Sequence, residues 1–481
     1  MAREELPDPG LPIKLEPCSN GEFMPLPASP LVRRTIETAN RVVDDRSKRL
    51  GVSRREFLQS SLGVTTMMAV LAACASDEGQ TGGTFLPESS DASVAPPTSA
   101  DQESNLTMEE EAADDALAAG QDEFVFDVQG HLLEYPDGAS ADPGFPQSAC
   151  GEADPGDCYG IDHFFEALFL DSETAMVMLS AIPFGDGALS PEVMQRAIDA
   201  AGQLGCEGRV LMQGEAFPTG TGLDAMEAVA ANFPINAFKT YTHTGETWRL
   251  DDDTGNAFFE KVTEVGVPIV AVHKGLAGNA PFASPADVGP AARNHPDVDI
   301  LVYHSGYETS SVEGPYDPAV DEGVNRLITS VRDAGLDTAQ SNVYAELGST
   351  WRILMASPDE AAHFLGKLLV HLGEDNILWG TDSIWYGSPQ DQIQMFRSFQ
   401  ISEEFQERFG YPALTPAIKA KIFGQNAARL FGVDLPAVAC GIDADSIAEL
   451  RTERSSLRQT ATNHTHAEQG LRTYLRDFGR N

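Results

Sequence analysis

Basic residues are scarce in this chain: 32 Lys and Arg stand against 73 Asp and Glu in 481 residues, a net charge of -41. A field of that sign repels phosphate backbones and anionic headgroups, which excludes nucleic-acid binding and electrostatic docking on a membrane. It suits solubility in salty or extracellular water. The apolar run SSLGVTTMMAVLAACA, residues 60–75, falls short of the roughly 20 residues a membrane-spanning helix needs. The six cysteines lack zinc-finger spacing, and no internal repeat is visible. Cys150 and Cys158 flank one loop, CGEADPGDC, and read either as a local disulfide of a domain outside the cytoplasm or as two free thiols. Cys206 and Cys440 read as ordinary small residues.

Residues 1–50 are polar and broken by seven prolines up to a helical stretch near 31–50. Ser53-Arg54-Arg55-Glu56-Phe57-Leu58 then precedes the short apolar run, the order of a secretory signal. SRREFL resembles the twin-arginine translocation consensus, and Leu71-Ala72-Ala73-Cys74 resembles a lipobox. The resemblance implies residues 1–74 as a signal region with a long leader, export to the periplasm or cell surface, and a lipid anchor at Cys74 as the one membrane contact. A buried core helix beside an Arg-Arg pair is the alternative. Between Ala75 and Glu123 no Lys or Arg occurs and thirteen residues are acidic, a composition that reads as a self-repelling tether.

From Phe124 onward strand and helix signals alternate, which argues for a parallel sheet built of βα units. Eight strand candidates follow: 124–129, 175–181, 208–213, 235–240, 267–273, 298–304, 342–346 and 376–381. Eight closes a (β/α)8 TIM barrel over 124–433. Ser190-Pro191, Ser284-Pro285, Ser357-Pro358, Ser388-Pro389 and Thr415-Pro416 each pair an N-cap hydroxyl with a proline preset for the first helical position. Ser357 and Glu360 have capping-box spacing. After Val433 the pattern fades into a helical extension, 434–481, whose His464 and His466 read as surface residues.

Chemistry collects at the strand ends. Asp382 ends the eighth strand in NILWGTDS, and His131, His273 and His304 end the first, fifth and sixth. A carboxylate at the end of a buried strand is costly unless paired. Imidazoles plus one carboxylate suit a divalent transition metal such as zinc, manganese or iron rather than calcium or magnesium. Asp382 is placed to act as ligand and base, and His304 to orient water or polarise substrate. Lys239 ends the fourth strand, with His243 four residues on, and Glu346 ends the seventh; all three read as substrate-binding residues, Glu346 also as an anchor of hydrogen bonds, with Lys239 alternatively the ion-pair partner of Glu346 and His243 alternatively a ligand or a plain loop residue. Trp351, Trp379, Trp385 and Tyr386 read as packing or as an aromatic rim, and His163, His363 and His371 as structural.

DVQGH, AFKTYTH, VAVHKG, VYHSG, ILWGTDS and GQNAARLFGV together resemble the amidohydrolase-related branch of the amidohydrolase superfamily. The resemblance implies a metal-dependent barrel enzyme with a His-x-His pair on the first strand, a histidine on the fifth, an aspartate on the eighth, and a sixth-strand histidine that ligates or catalyses. Those roles fall on Gln129 and His131, His273, Asp382 and His304. Gln129 departs, because an amide oxygen is a weaker ligand than imidazole, so one metal is expected rather than two, with Lys239 contacting substrate.

The leading expectation is a hydrolase acting on a small amide, ester or lactone. A non-oxidative decarboxylase of a small aromatic or enol acid is the alternative enzyme, favoured for an anionic substrate by Lys239 and His243. A binding lipoprotein on a degenerate barrel is the third. The Gly/Pro-rich loops 132–159 and 307–321 are expected to shape the pocket, and a homo-oligomer is left open.

Overall fold

The protein is described by a computed structural model over residues 10–23, 27–85, 123–134, 159–183, 188–276, 281–336, 341–434 and 440–460, the last eight residues by backbone alone. Eight parallel strands form its centre: β1 (Val125–Gly130), β2 (Thr174–Leu179), β3 (Val210–Glu215), β4 (Ala237–Tyr241), β5 (Ile269–His273), β6 (Asp299–Tyr303), β7 (Val343–Glu346) and β8 (Ile377–Leu378). Neighbours in the sheet are neighbours in sequence. The circle closes where the Val128 amide donates to the Trp379 carbonyl at 3.1 Å and the His131 amide to the Ser383 carbonyl at 2.6 Å. This is the expected (β/α)8 barrel, and all eight expected strands are present in order. Apolar strands such as IVAVH and DILVY suit positions covered on both faces.

One apolar cluster joins Phe126, Val128, Met176, Met178, Leu301 and Leu378 to Ala427. Ala427 belongs to the helix Asn426–Phe431, which packs at the start of β8 because Asn426 Nδ2 donates to the Glu374 and Ile377 carbonyls at 2.8 Å each. The GQNAARLFGV segment thus sits at the end of the barrel opposite Asp382. Helix starts vary around the Ser/Thr-Pro theme. Ser190 and Thr415 cap as expected, accepting from Val193 and Ile418 amides. Ser357 instead donates to the Glu360 carboxylate at 3.0 Å, so the expected capping box does not form.

Ahead of the barrel lie helices α1 (Pro30–Leu50), α2 (Arg54–Leu58) and α3 (Ser61–Asp77). Helix α3 is the apolar run with the signal-like pattern. It is apolar on most faces, as a helix buried on several sides must be. Leu62, Val64, Met67, Met68, Val70 and Leu71 are buried, and Cys74 is 4% exposed. Met67, Leu71 and Cys74 share the main apolar cluster with Trp351, Phe364 and Phe396 of the barrel shell. Arg54 pairs with Asp44 at 2.6 Å. Cleavage and lipidation at Cys74 would require α3 to leave this packing. Among the described residues no helix is long and apolar enough to cross a membrane. The segment after α3 is fastened by a two-residue antiparallel pairing of Gly83–Thr84 with Gln400–Ile401.

Cys206 and Cys440 correct the reading of them as ordinary residues: they are disulfide-bonded, with Cα atoms 5.1 Å apart. They are 234 residues apart in sequence, and nothing local to either announces the pairing. Cys150, Cys158, His464, His466 and most of the acidic tether lie outside the described residues.

Candidate active site

The barrel delivers its polar groups to one end because the last residues of parallel strands, and the turns after them, all face the same mouth. Two of those turns adopt backbone conformations that L-residues rarely take: His304 has φ +58° and Asp382 φ +57°. Such conformations cost roughly 1–3 kcal/mol each and persist where surrounding contacts over-determine them. Here the contacts are explicit. The His304 amide donates to Glu346 Oε2 at 2.8 Å, and Thr350 Oγ1 donates to the His304 carbonyl at 2.8 Å. Asp127 ties β1 to the turn after β8, accepting from the Gln129 amide at 3.0 Å, from the Thr381 amide at 3.1 Å and from the Thr381 hydroxyl. Gly380 of the GTD motif gives Glu346 room, since a Cβ there would lie 1.8 Å from Glu346 Oε1.

Gln129, His131, His273, His304, Lys239, Glu346 and Asp382 are all buried, none more than 2% exposed. Gln129 Nε2 donates to Asp382 Oδ1 at 2.9 Å and lies 3.4 Å from Nε2 of both His131 and His304, while its Oε1 has no hydrogen-bond partner. His131 Nδ1 faces the Ser180 carbonyl at 2.9 Å, an atom that can only accept, so the Nδ1 proton is assigned by its partner. His131 Nε2 then meets Asp382 Oδ1 at 3.0 Å. Two lone pairs facing each other at that distance need a cation, either a second proton on the imidazole or a metal ion. Burial works to raise the Asp382 carboxyl, but the His131 hydrogen bond, the electrostatic pull of the His304 and His131 imidazoles and the Ser349 hydroxyl outweigh it and hold the group well below the usual carboxylate range.

His273 and His304 meet edge to face, ring centres 4.8 Å apart, and Tyr241 stacks on His273 at 5.1 Å. Burial holds His273 well below the usual imidazole range and drops His304 to about 3, in each case against the pull of Asp382. His304 Nδ1 accepts from the Ser349 amide at 3.3 Å, which leaves the ring proton on Nε2. Lys239 points inward with Nζ 3.5 Å above the Tyr303 ring and has no hydrogen-bond partner. It makes no ion pair with Glu346, so that alternative is not the one realised. Burial lowers Lys239 to about 7 despite the carboxylates of Glu22, Glu346 and Asp382. His243 lies beside the cluster, its ring 5.1 Å from that of His273.

The aromatic residues divide. Trp351 and Trp379 are core, packed on Phe396. Trp385 stacks on His131 at 5.3 Å, and the Tyr386 hydroxyl bonds Ser349 Oγ at 2.6 Å. His363 and His371 are structural, the first bonded to the Tyr411 hydroxyl at 2.9 Å and the second packed on Tyr316 at 4.4 Å. His163 is also structural, 3.4 Å from Glu166.

Three contributors carry no sequence signal. Ser349 donates its hydroxyl to Asp382 Oδ2. Asn20 and Glu22 come from the proline-broken stretch ahead of α1: Asn20 Nδ2 donates to Asp382 Oδ2 at 2.8 Å, and Glu22 Oε2 lies 2.6 Å from His273 Nε2. Glu22, His273 and His304 place one possible ligand atom each within 4.8 Å of one another. The donor set of imidazoles and carboxylates fits a divalent transition metal, and the His131–Asp382 contact is one that such an ion would relieve. Outside the turn that carries Asn20 and Glu22 lies a groove of about 420 Å³ lined in part by Cys18, Phe23, Tyr307 and Arg352.

A family model described as amidohydrolase matches residues 127–433. Among solved structures the chain is similar to 5-carboxyvanillate decarboxylase from Sphingomonas paucimobilis, at 14% identity over 65% of this chain and 99% of that one, with a TM-score of 0.38. It is similar to 2,6-dihydroxybenzoate decarboxylase from Rhizobium at 14% identity over 64% of this chain and 99% of that one, with a TM-score of 0.38. An uncharacterized TIM-barrel protein from Bordetella bronchiseptica matches at 14% identity over 64% of this chain and 98% of that one, with a TM-score of 0.43. No curated protein matches the chain.

Proposed function

The chain belongs to the amidohydrolase family, and from that membership we propose that its barrel mouth is the site of a metal-dependent hydrolase acting on a small amide, ester or lactone. The observation that carries the reading is the His131 Nε2–Asp382 Oδ1 contact of 3.0 Å, on an imidazole whose other nitrogen is already committed to Ser180. His131, His273 and Asp382 would hold the ion. A divalent metal bound there would polarise a carbonyl and acidify a water.

The chain's own groups do the rest. Asp382 takes the proton of the attacking water at a carboxylate oxygen and returns it to the leaving nitrogen or oxygen, and the low range in which it is held keeps it an acceptor at neutral pH. His304, neutral with its proton on Nε2, donates toward the substrate carbonyl, and the Ser349 amide holds that tautomer. Ser349 Oγ and Asn20 Nδ2 orient Asp382. Tyr241 and Trp385 lie flat against His273 and His131, and exclude bulk water from them.

Decarboxylation of a small aromatic or enol acid is kept as a second reading, favoured by Lys239: a buried ammonium without a hydrogen-bond partner is a ready contact for a substrate carboxylate. Elemental analysis of the full chain beside His273→Ala/Asp382→Ala tests the common premise. About one equivalent of transition metal, lost in the double variant, supports it, and assays for ester or lactone cleavage and for CO2 release then separate the two. A correctly folded chain that takes up neither zinc nor manganese removes the metal-dependent reading.

A further inference from the structure

We infer that Glu22 is a metal ligand in this chain, supplied by a turn that lies outside the matched family region and making up for the weak donor at Gln129. The inference rests on the metal-enzyme reading above.

The turn is built to present this side chain. Ser19 Oγ accepts from the Gly21 amide at 2.9 Å, and Asn20 Oδ1 accepts from the Glu22 amide at 3.0 Å. Gly21 has φ +91°, a conformation that glycine adopts without strain. Asn20 and Glu22 are therefore held side by side, 4% and 8% exposed, facing the strand ends. The turn is also fixed from outside, since the Lys14 amide donates to Asp391 Oδ2 at 3.0 Å and Arg352 donates to the Glu16 carbonyl at 3.4 Å.

Charge supplies the second argument. Asn20 Nδ2 reaches both Asp382 Oδ2, at 2.8 Å, and Glu22 Oε2, at 3.1 Å, so two carboxylates approach one amide group in a buried pocket. Their repulsion there is not screened by water. Lys239 forms no ion pair with either, and each faces an imidazole instead, Asp382 that of His131 at 3.0 Å and Glu22 that of His273 at 2.6 Å. A dication held there would neutralise both carboxylates, and Glu22 Oε2, 2.6 Å from His273 Nε2, would add a second carboxylate to the His131, His273 and Asp382 donors, a mix of imidazole and carboxylate of the kind zinc accepts. Gln129 cannot fill that role as it stands, because its Nε2 faces the other donors.

The test uses the full chain, stripped of metal and titrated with zinc alone and manganese alone against a competing chelator. Glu22→Gln keeps the shape of the side chain and removes its charge. It should weaken binding by at least about tenfold, while Glu22→His, which restores a ligand, recovers part of the loss. Hydrogen exchange of residues 10–23 should slow on metal addition in the native chain and not in Glu22→Gln. Unchanged or tighter binding by Glu22→Gln, with metal still lost in His273→Ala/Asp382→Ala, would overturn the role of Glu22 and leave the barrel site standing. Absence of metal from the native chain would overturn both.

Discussion

The barrel and the segment wrapped ahead of it are organised on different principles. Each barrel strand bonds the strand next to it in sequence, so the sheet is a chain of local decisions. The N-terminal wrap meets the barrel across hundreds of residues: Asn20 to Asp382 spans 362 positions and Glu22 to His273 spans 251. The barrel carries the reactive groups on rigid strand ends, and the wrap adds two more from a turn pinned by Asx-type hydrogen bonds. The difference teaches that the catalytic scaffold and the finished site need not have the same boundaries: the family match begins at residue 127, and the site draws on residue 20.

The sharpest test of the barrel side is His273→Ala/Asp382→Ala, expected to remove the metal and to lower turnover on the order of 10²–10⁴-fold through loss of the base. Elemental analysis and kcat/KM read it, and retained turnover would break the assignment. For the wrap, Leu71→Ala in α3 should cost about 2–5 kcal/mol, as for other buried Leu truncations. Denaturant unfolding measures that cost, and a loss near zero would show α3 to be no part of the cooperative unit. Intact mass of the mature protein sharpens the same point: retention of residues 1–77 keeps α3 as core, whereas a lipidated N-terminus at Cys74 means the barrel works without its wrap.

A smaller effect is expected at the disulfide. Cys206→Ser should lower stability by about 2–4 kcal/mol, read as a fall in Tm that reductant reproduces in the native chain. The smallest is a pH effect at the barrel rim. Burial raises the Glu215 carboxyl from 4.5 to about 7. Between those values the folded chain keeps a proton that the unfolded chain has released, so this group's contribution is full below pH 4.5 and is lost as pH rises through 7. Glu215→Gln should therefore gain Tm relative to the native chain over that window, and a constant difference from pH 4.5 to 8 would contradict the shift.

Much of the barrel was legible beforehand. Apolar runs of strand length alternating with capped helices placed all eight strands, and GTD, VYHSG and VAVHKG marked Asp382, His304 and His273 at strand ends. Ser357 shows the limit: capping-box spacing was present, yet its hydroxyl turned to the Glu360 side chain. Glu346 was expected to anchor hydrogen bonds and does so, through the His304 amide rather than through Lys239. The apolar run 60–75 illustrates a deeper ambiguity, because a short uncharged helix has one composition whether it enters a membrane or a core.

Composition, periodicity and punctuation by themselves determined the acidic surface, the barrel, the order of its strands and which side chains would stand at its mouth, because each of these depends on residues within one or two turns of chain. Tertiary structure alone decided that Glu22 and Asn20 reach those side chains, that Ser349 braces Asp382, that Cys206 finds Cys440 and that Lys239 faces Tyr303 instead of Glu346. Such contacts join distant segments whose own sequences are unremarkable, and they are chosen by which buried charge or hydrogen-bonding atom would otherwise go unmet.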